Sequence, residues 1–252
     1  MGTNAMKETV LTLFLVGVLT TTLGVTTVST LSSDVVVAVG GLIPTIDGYI
    51  GVGEWDDADT LTVSVTEGVN CTVYVKQDGV NLYVGFNIPD ATYNSSDCCV
   101  IIFDVDHDGS TLLKTDDVWL RVSRIGVKVE YNVTASGWFP TTIYRWSAQA
   151  SSTASAWLCE YNITYSKVNV SAGTNKTLGV MFLIVDKDVE MGWYVWPSNA
   201  SISKPATWGD MTSNGHNWVP EFSTWASLLL LLIVLTVVIV LCKVRLLDTS
   251  LH

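Results

Sequence analysis

The sequence predicts an all-β domain, a two-sheet antiparallel β-sandwich of the jelly-roll type, on three observations. Apolar and polar residues alternate with a period of two in segment after segment, and no convincing 3.6-residue period occurs between Ile43 and Asp210. Glycine, asparagine, aspartate and serine separate these runs, as the turns of a many-stranded sandwich require. Glycosylation triplets within the runs fall on their polar parity, where an attached sugar has room.

The strands follow from parity. In NLYVGFNI, Leu82, Val84, Phe86 and Ile88 share one face, after an Asp78-Gly79 turn. In VKVEYNVT, Val127, Val129, Tyr131 and Val133 are expected to point inward, and Lys128, Glu130 and Asn132 outward. In WLCEYNITY, Trp157, Cys159, Tyr161, Ile163 and Tyr165 oppose Glu160, Asn162 and Thr164, and Asn70 opposes Cys71, Val73 and Val75. Cys71 and Cys159 then face inward, where a core disulfide has a place, although Cys71, Cys98, Cys99 and Cys159 allow three pairings.

Two apolar segments flank this region, residues 39–211. Val10 to Leu31 is uncharged and threonine-rich behind Lys7, so residues 1–38 read as a secretory signal peptide with cleavage between 28 and 38. An uncleaved signal anchor is the alternative. Near the other end, Phe222 to Leu241 is FSTWASLLLLLIVLTVVIVL, and about 1.5 Å of rise per residue carries it across one hydrocarbon thickness. Residues 222–242 are thus expected to be a transmembrane helix, with Trp225 at the outer interface. Lys243 and Arg245 mark 243–252 as a cytoplasmic tail, and 212–221 is a short juxtamembrane linker. The domain is placed on the outer cell surface.

Seven of twelve asparagines begin an N-x-S/T triplet: Asn70, Asn94, Asn132, Asn162, Asn169, Asn175 and Asn199. A serine-plus-threonine share of about a fifth gives only about two or three by chance, and each triplet is an acceptor only in an exported chain. The formal charge of −11 excludes a nucleic-acid partner, which needs a basic face. The charge is concentrated: from Asp47 to Asp117 fourteen acids meet two lysines, a density that suits a divalent cation.

DVDHDG is where a cation is expected. Asp104, Asp106 and Asp108 occupy positions 1, 3 and 5 of a calcium loop, Gly109 makes the turn, and the Ser110 carbonyl falls at position 7. Position 12 is Thr115 rather than glutamate, so Asp116 or Asp117 must swing in. Without amphipathic flanking helices this is no EF-hand, and the expected calcium is structural. A solvated acidic turn is the alternative. Paired carboxylates such as Glu54 with Asp56, or Asp186 with Asp188, offer no catalytic separation, and His107, His216 and His252 have no nucleophile beside them, so no enzyme is expected.

Four segments in order resemble family 9 carbohydrate-binding modules and their DOMON-like relatives. These are PTIDGYIGVGEWDDA at Pro44–Ala58, VIIFDVDHDG, CEYNITYSKVNV (with Thr164 where the pattern has proline), and WYVWPSNASISKPATWGDM. The resemblance implies a β-sandwich, a structural ion and a sugar held between two aromatics. Some DOMON-like domains bind haem, which would need an axial pair such as Met181, Met191 or Met211 with a histidine. VPEFSTW and the helix after it resemble the PEF C-terminal sorting signal of archaeal surface proteins, which implies an archaeosortase acting near Pro220, Glu221 and Phe222.

Tryptophan is the enriched residue, with ten in the chain, and flat aromatic rings stack on the apolar faces of sugars. Trp55, Trp119 and Trp157 alternate with core residues and are expected to be buried. Trp138 in a Ser-Gly-Trp-Phe-Pro turn, Trp146 after Arg145, and Trp193 and Trp196 in a Gly/Pro/Asn-rich stretch are the candidate sugar contacts. The expected function is recognition of an oligo- or polysaccharide at the cell surface. The rival is a glycosylated coat or adhesion protein without a sugar site, and a haem-bearing redox domain is a distant third.

Overall fold

The computed structural model describes residues 34–66, 69–189, 192–214, 218, 232, 233 and 236. Thirteen strands run in chain order: β1 (Val35–Gly40), β2 (Asp59–Thr66), β3 (Val69–Gln77), β4 (Asn81–Pro89), β5 (Cys98–Asp104), β6 (Val118–Ser123), β7 (Lys128–Thr134), β8 (Gly137–Thr141), β9 (Trp146–Ser152), β10 (Ala156–Thr164), β11 (Leu178–Asp186), β12 (Gly192–Trp196) and β13 (Gly209–Ser213). The predicted signal peptide before Asp34, the sorting residues Pro220, Glu221 and Phe222, and most of the predicted membrane helix lie outside the described residues. Among the described residues no helix is long and apolar enough to cross a membrane.

The strands form two sheets that share β1. One runs β8-β7-β6-β5-β11-β13-β1, with β12 and β13 end to end along one edge of β11. The other runs β1-β3-β4-β10-β9, with β2 on β3. The sandwich is therefore not purely antiparallel, as the sequence led one to expect. Val35 to Ala38 pair in parallel with Asp210 to Ser213, and Val39 and Gly40 pair in parallel with Lys76 and Gln77. A strand at the seam of two sheets takes its direction from both, and parity within one strand carries no information about that.

The inner faces make the core. Phe86 of one sheet meets Phe182 of the other edge-on, with centroids 5.9 Å apart, and the Tyr161 hydroxyl donates to the Cys99 carbonyl at 2.8 Å. Strands β5 and β11, CCVIIFD and LGVMFLIVD, are buried on both faces along almost their whole length. Such continuous apolar runs belong to strands covered on two sides. Their second face carries its own apolar cluster, with Val100, Ile102, Met181, Leu183 and Trp208.

Cys71 and Cys159 do face the core, but all four cysteines of the domain are free thiols. Strand β4 lies between β3 and β10, so two strand spacings, about 9–10 Å, separate Cys71 from Cys159, beyond the reach of a disulfide.

Strand boundaries also shift the ends of the domain. Strand β1 includes residues 35–38, and β13 continues through Thr212 and Ser213 into the expected linker. Trp218 is fully buried against Tyr165 and donates from Nε1 to the Lys176 carbonyl at 2.7 Å. The folded unit thus reaches from Asp34 to at least Trp218.

The segment that opens the family resemblance seals the outer face of the second sheet. Glu160 is fully buried there and accepts hydrogen bonds from the Asp47 and Gly48 N–H groups and the Trp55 indole, at 3.0, 2.8 and 3.0 Å. Lys76, also fully buried, pairs with Asp57 at 2.8 Å and lies 5.0 Å from the centre of the Trp55 ring. Gly48 has φ of +87°, and a Cβ there would stand 2.8 Å from the Ala150 backbone, so only glycine closes this turn.

Candidate functional site

The polarity of β7 is the reverse of its sequence reading, and this reversal builds the site. Leu120 and Val122, both core residues, stand opposite Glu130 and Lys128 in the ladder, so those two polar residues face inward. Glu130 is buried. It accepts from the Trp146 indole at 2.7 Å and the Tyr144 N–H at 3.0 Å, and it forms an ion pair with Lys167. Asn132 turns the same way, and its Oδ1 is shielded without a partner. Tyr131 therefore looks outward, opposite Trp119.

On that outer face the aromatic rings gather. Trp119 lies 5.6 Å from Tyr131 and meets Trp138 edge-on at 5.5 Å. Trp138 is fixed by its indole N–H, which donates to the Ile202 carbonyl at 3.1 Å. Trp193 pairs with Val185 in the ladder and stands 49% exposed at the rim. Together they border a solvent-open cavity of about 290 Å3 whose floor is Cys98, Leu183 and Val185. Arg121 and Lys187 also line it. Arg121 is half-buried, with the Cys98 thiol and the Tyr131 hydroxyl as neighbours. Burial pushes the Cys98 thiol up despite Arg121 beside it, so the thiol stays protonated. The Trp119 indole N–H is buried and has no partner.

The four tryptophans expected at the site divide evenly. Trp138 and Trp193 border the cavity. Trp146 and Trp196 are corrections, for both belong to the core. Trp146 stacks on Tyr161 with centroids 5.8 Å apart, and Trp196 packs on Phe182 at 5.7 Å, just before a cis bond to Pro197. Trp193 and Trp196 point to opposite faces because β12 stays extended where a bend was needed. Trp119, expected in the core, is half-buried at the cavity instead, while Trp55 and Trp157 are buried as expected. The sequence reading missed Tyr131, Arg121 and Lys187. The one available signal was Trp119-x-Arg121 on β6, whose members share a face.

The acidic loop joins β5 to β6. Asp104 is buried at the end of β5, with Oδ2 accepting from the Gly109 N–H at 3.1 Å and Oδ1 buried without a partner. Carboxylate oxygens of Asp104, Asp106 and Asp108 approach one another within 4.8 Å, and so do those of Asp104, Asp116 and Asp117. Asp116 and Asp117 both come in, and the buried one is Asp117. Its carboxyl is pushed up to about 7, first by burial and then by its acidic neighbours, and burial also raises Asp104. The Ser110 carbonyl accepts from the Ala206 N–H at 2.8 Å, and Lys114 pairs with Asp108. An orphaned buried oxygen among crowded carboxylates is what a hard, oxygen-seeking cation would satisfy.

Other candidates fall into structural roles. Glu54 accepts from the Thr45 and Gly51 N–H groups and ties its loop together, and His107 contacts Asp210 at 2.9 Å. Met181 belongs to the outer cluster and Met211 to the core, so they cannot face one another, while Met191 and His216 lie outside the described residues. Of the seven triplet asparagines, Asn70, Asn169, Asn175 and Asn199 are exposed, whereas Asn94, Asn132 and Asn162 are half-buried.

No protein-family model matches the chain, and no curated protein does. Among solved structures, the fold resembles a family 9 carbohydrate-binding module from Caldicellulosiruptor kristjanssonii in complex with cellotriose, at a TM-score of 0.58 and 17% identity over 71% of this chain and 93% of that one. A glucose complex of such a module from the same organism gives a TM-score of 0.57 and 18% identity over 71% and 95%. The chain thus has the fold of these modules.

Proposed function

We propose that the protein binds a saccharide in the aromatic cavity on the outer face of the β8-to-β11 sheet. One observation carries the reading: Trp119, Tyr131, Trp138 and Trp193 converge on a solvent-open hollow that also holds Arg121. Rings of this kind stack on sugar faces, and the polar groups between them fix the hydroxyls. Neighbours of the same fold were solved with cellotriose and glucose, which supports a saccharide partner. Among the described residues no carboxylate borders the cavity, and glycoside hydrolysis needs two, so the reading is binding without catalysis.

Calcium is proposed as the structural ion of the β5–β6 loop. Asp104, Asp106, Asp108, Asp116 and Asp117 would supply the carboxylates, and the ion would neutralise their mutual repulsion. The domain is proposed to stand outside the cell, held by the apolar segment at 222–242, with sorting at Pro220-Glu221-Phe222 as the rival to a retained helix.

The test is a glycan array probed with the full chain in detergent, followed by calorimetric titration of the best ligand. Trp193→Ala and Trp119→Ala should each weaken binding by about 1–3 kcal/mol. Unchanged affinity in both, with a sugar bound, would move the site elsewhere. An array without hits would favour the coat-protein reading.

A further inference from the structure

The charge of the cavity adds something its aromatic walls do not. The chain carries a net charge of −11, yet the two charged residues bordering this cavity, Arg121 and Lys187, are both cations. Neither forms an ion pair among the described residues, in contrast to Lys76, Arg124 and Lys167, each of which has its own carboxylate. Asp97, next to Cys98, is occupied by Arg124 at 3.2 Å and by the Asn94 and Lys187 backbone N–H groups, and its carboxylate clusters with those of Asp186 and Asp188, none of which lines the cavity or forms an ion pair with Arg121 or Lys187 among the described residues. The groups beside Arg121 are neutral instead, the Cys98 thiol and the Tyr131 hydroxyl. A half-buried guanidinium without an ion pair, lining the same cavity as a second cation, is a site shaped for an incoming anion.

Resting on the saccharide reading above, we propose that this cavity selects an acidic sugar. The sugar's carboxylate or sulfate would meet Arg121 and Lys187 while its ring stacks on the tryptophans. The guanidinium fork matches two oxygens of a carboxylate or sulfate at once, whereas a neutral sugar offers only hydroxyls.

The experiment uses the full chain in detergent and three matched pairs. Trigalacturonate is titrated against its methyl ester, trimannuronate against its methyl ester, and a sulfated carrageenan tetramer against its desulfated form. Cellotriose serves as an unrelated neutral sugar. At least one anionic member should bind about tenfold or more tighter than its neutral twin, and the advantage should shrink between low and physiological salt. The pair that shows it separates carboxylate from sulfate. Arg121→Gln and Lys187→Gln should each reduce that preference, and Lys187, being exposed, can be replaced without endangering the fold. If neutral twins or cellotriose bind as tightly as the anions, the charge inference falls while the saccharide reading stands. An anionic preference unmoved in both variants overturns it as well. If no saccharide of either kind binds, both readings fall.

Discussion

Glu130 shows how much rests on single side chains. It sits inside the sandwich, pairs with Lys167 and receives the Trp146 indole, so removing it leaves a buried cation alone. Glu130→Ala should therefore cost about 3–5 kcal/mol in urea unfolding, and Glu130→Gln distinctly less, because the amide still accepts. The same scale separates the tryptophans. Trp146→Ala should cost about 3–5 kcal/mol of stability, and Trp193→Ala should leave the melting temperature nearly unchanged. Both effects are read by melting the variants in parallel. Residue identities showed which positions are apolar, and strands such as β4 and β10 followed their parity. They did not show which parity of β7 looks inward. A glutamate with a lysine and an indole waiting for it is an inward residue, and those partners come from other strands. Trp196 misled for the same reason, since a glycine- and proline-rich stretch marks turns without saying what the flanking rings pack against, and nothing beside Trp146 in the sequence showed that Tyr161 lies against it.

At the scale of an element, the β5–β6 loop carries the clearest chemistry. Adding chelator to the full chain should lower its melting temperature, and calcium at about a hundred times its Kd should restore about 2.7 kcal/mol. Asp104→Asn should abolish that increment. An unmoved melting curve would leave the loop an acidic turn. The metal-free protein should also respond to pH in a particular direction. The Asp117 carboxyl stands at about 7 in the fold against an ordinary value of 3.8, chiefly through burial. Below 3.8 it is protonated in both states. Between there and about 7 the unfolded chain has released the proton that the fold still holds, so stability falls as pH rises. Calcium should remove much of this slope, because it favours the ionised carboxylates. The D-x-D-x-D-G pattern marked this loop in the sequence, but the entry of Asp117 depended on the loop closing back on β5. The N-terminal segment was legible differently. Its Asp-Gly turn and Glu-Trp pair were visible, while their anchor, Glu160, lies more than a hundred positions away.

For the whole molecule, the seam strand β1 governs where the chain can be processed. Val36 and Ala38 are buried, and the strand serves both sheets, so a leader peptidase should cut ahead of Asp34 rather than after Ala38. Sequencing the mature N-terminus checks this, and a start at Val39 would contradict it. Glycopeptide mass spectrometry should find sugar at Asn70, Asn169, Asn175 and Asn199, and none at Asn132, whose side chain turns inward. The pairing of β1 with β13 has a mechanical consequence. Strand β13 lies between β1 and β11, in parallel with the first and antiparallel to the second. A tug on the chain beyond Trp218 must first draw that indole out of the core. The load then runs along the length of β13 and strains its ladder bonds all at once, as a lap joint is strained, rather than peeling them singly. Such a domain should hold fast when pulled from its C-terminal side and slip only at high force.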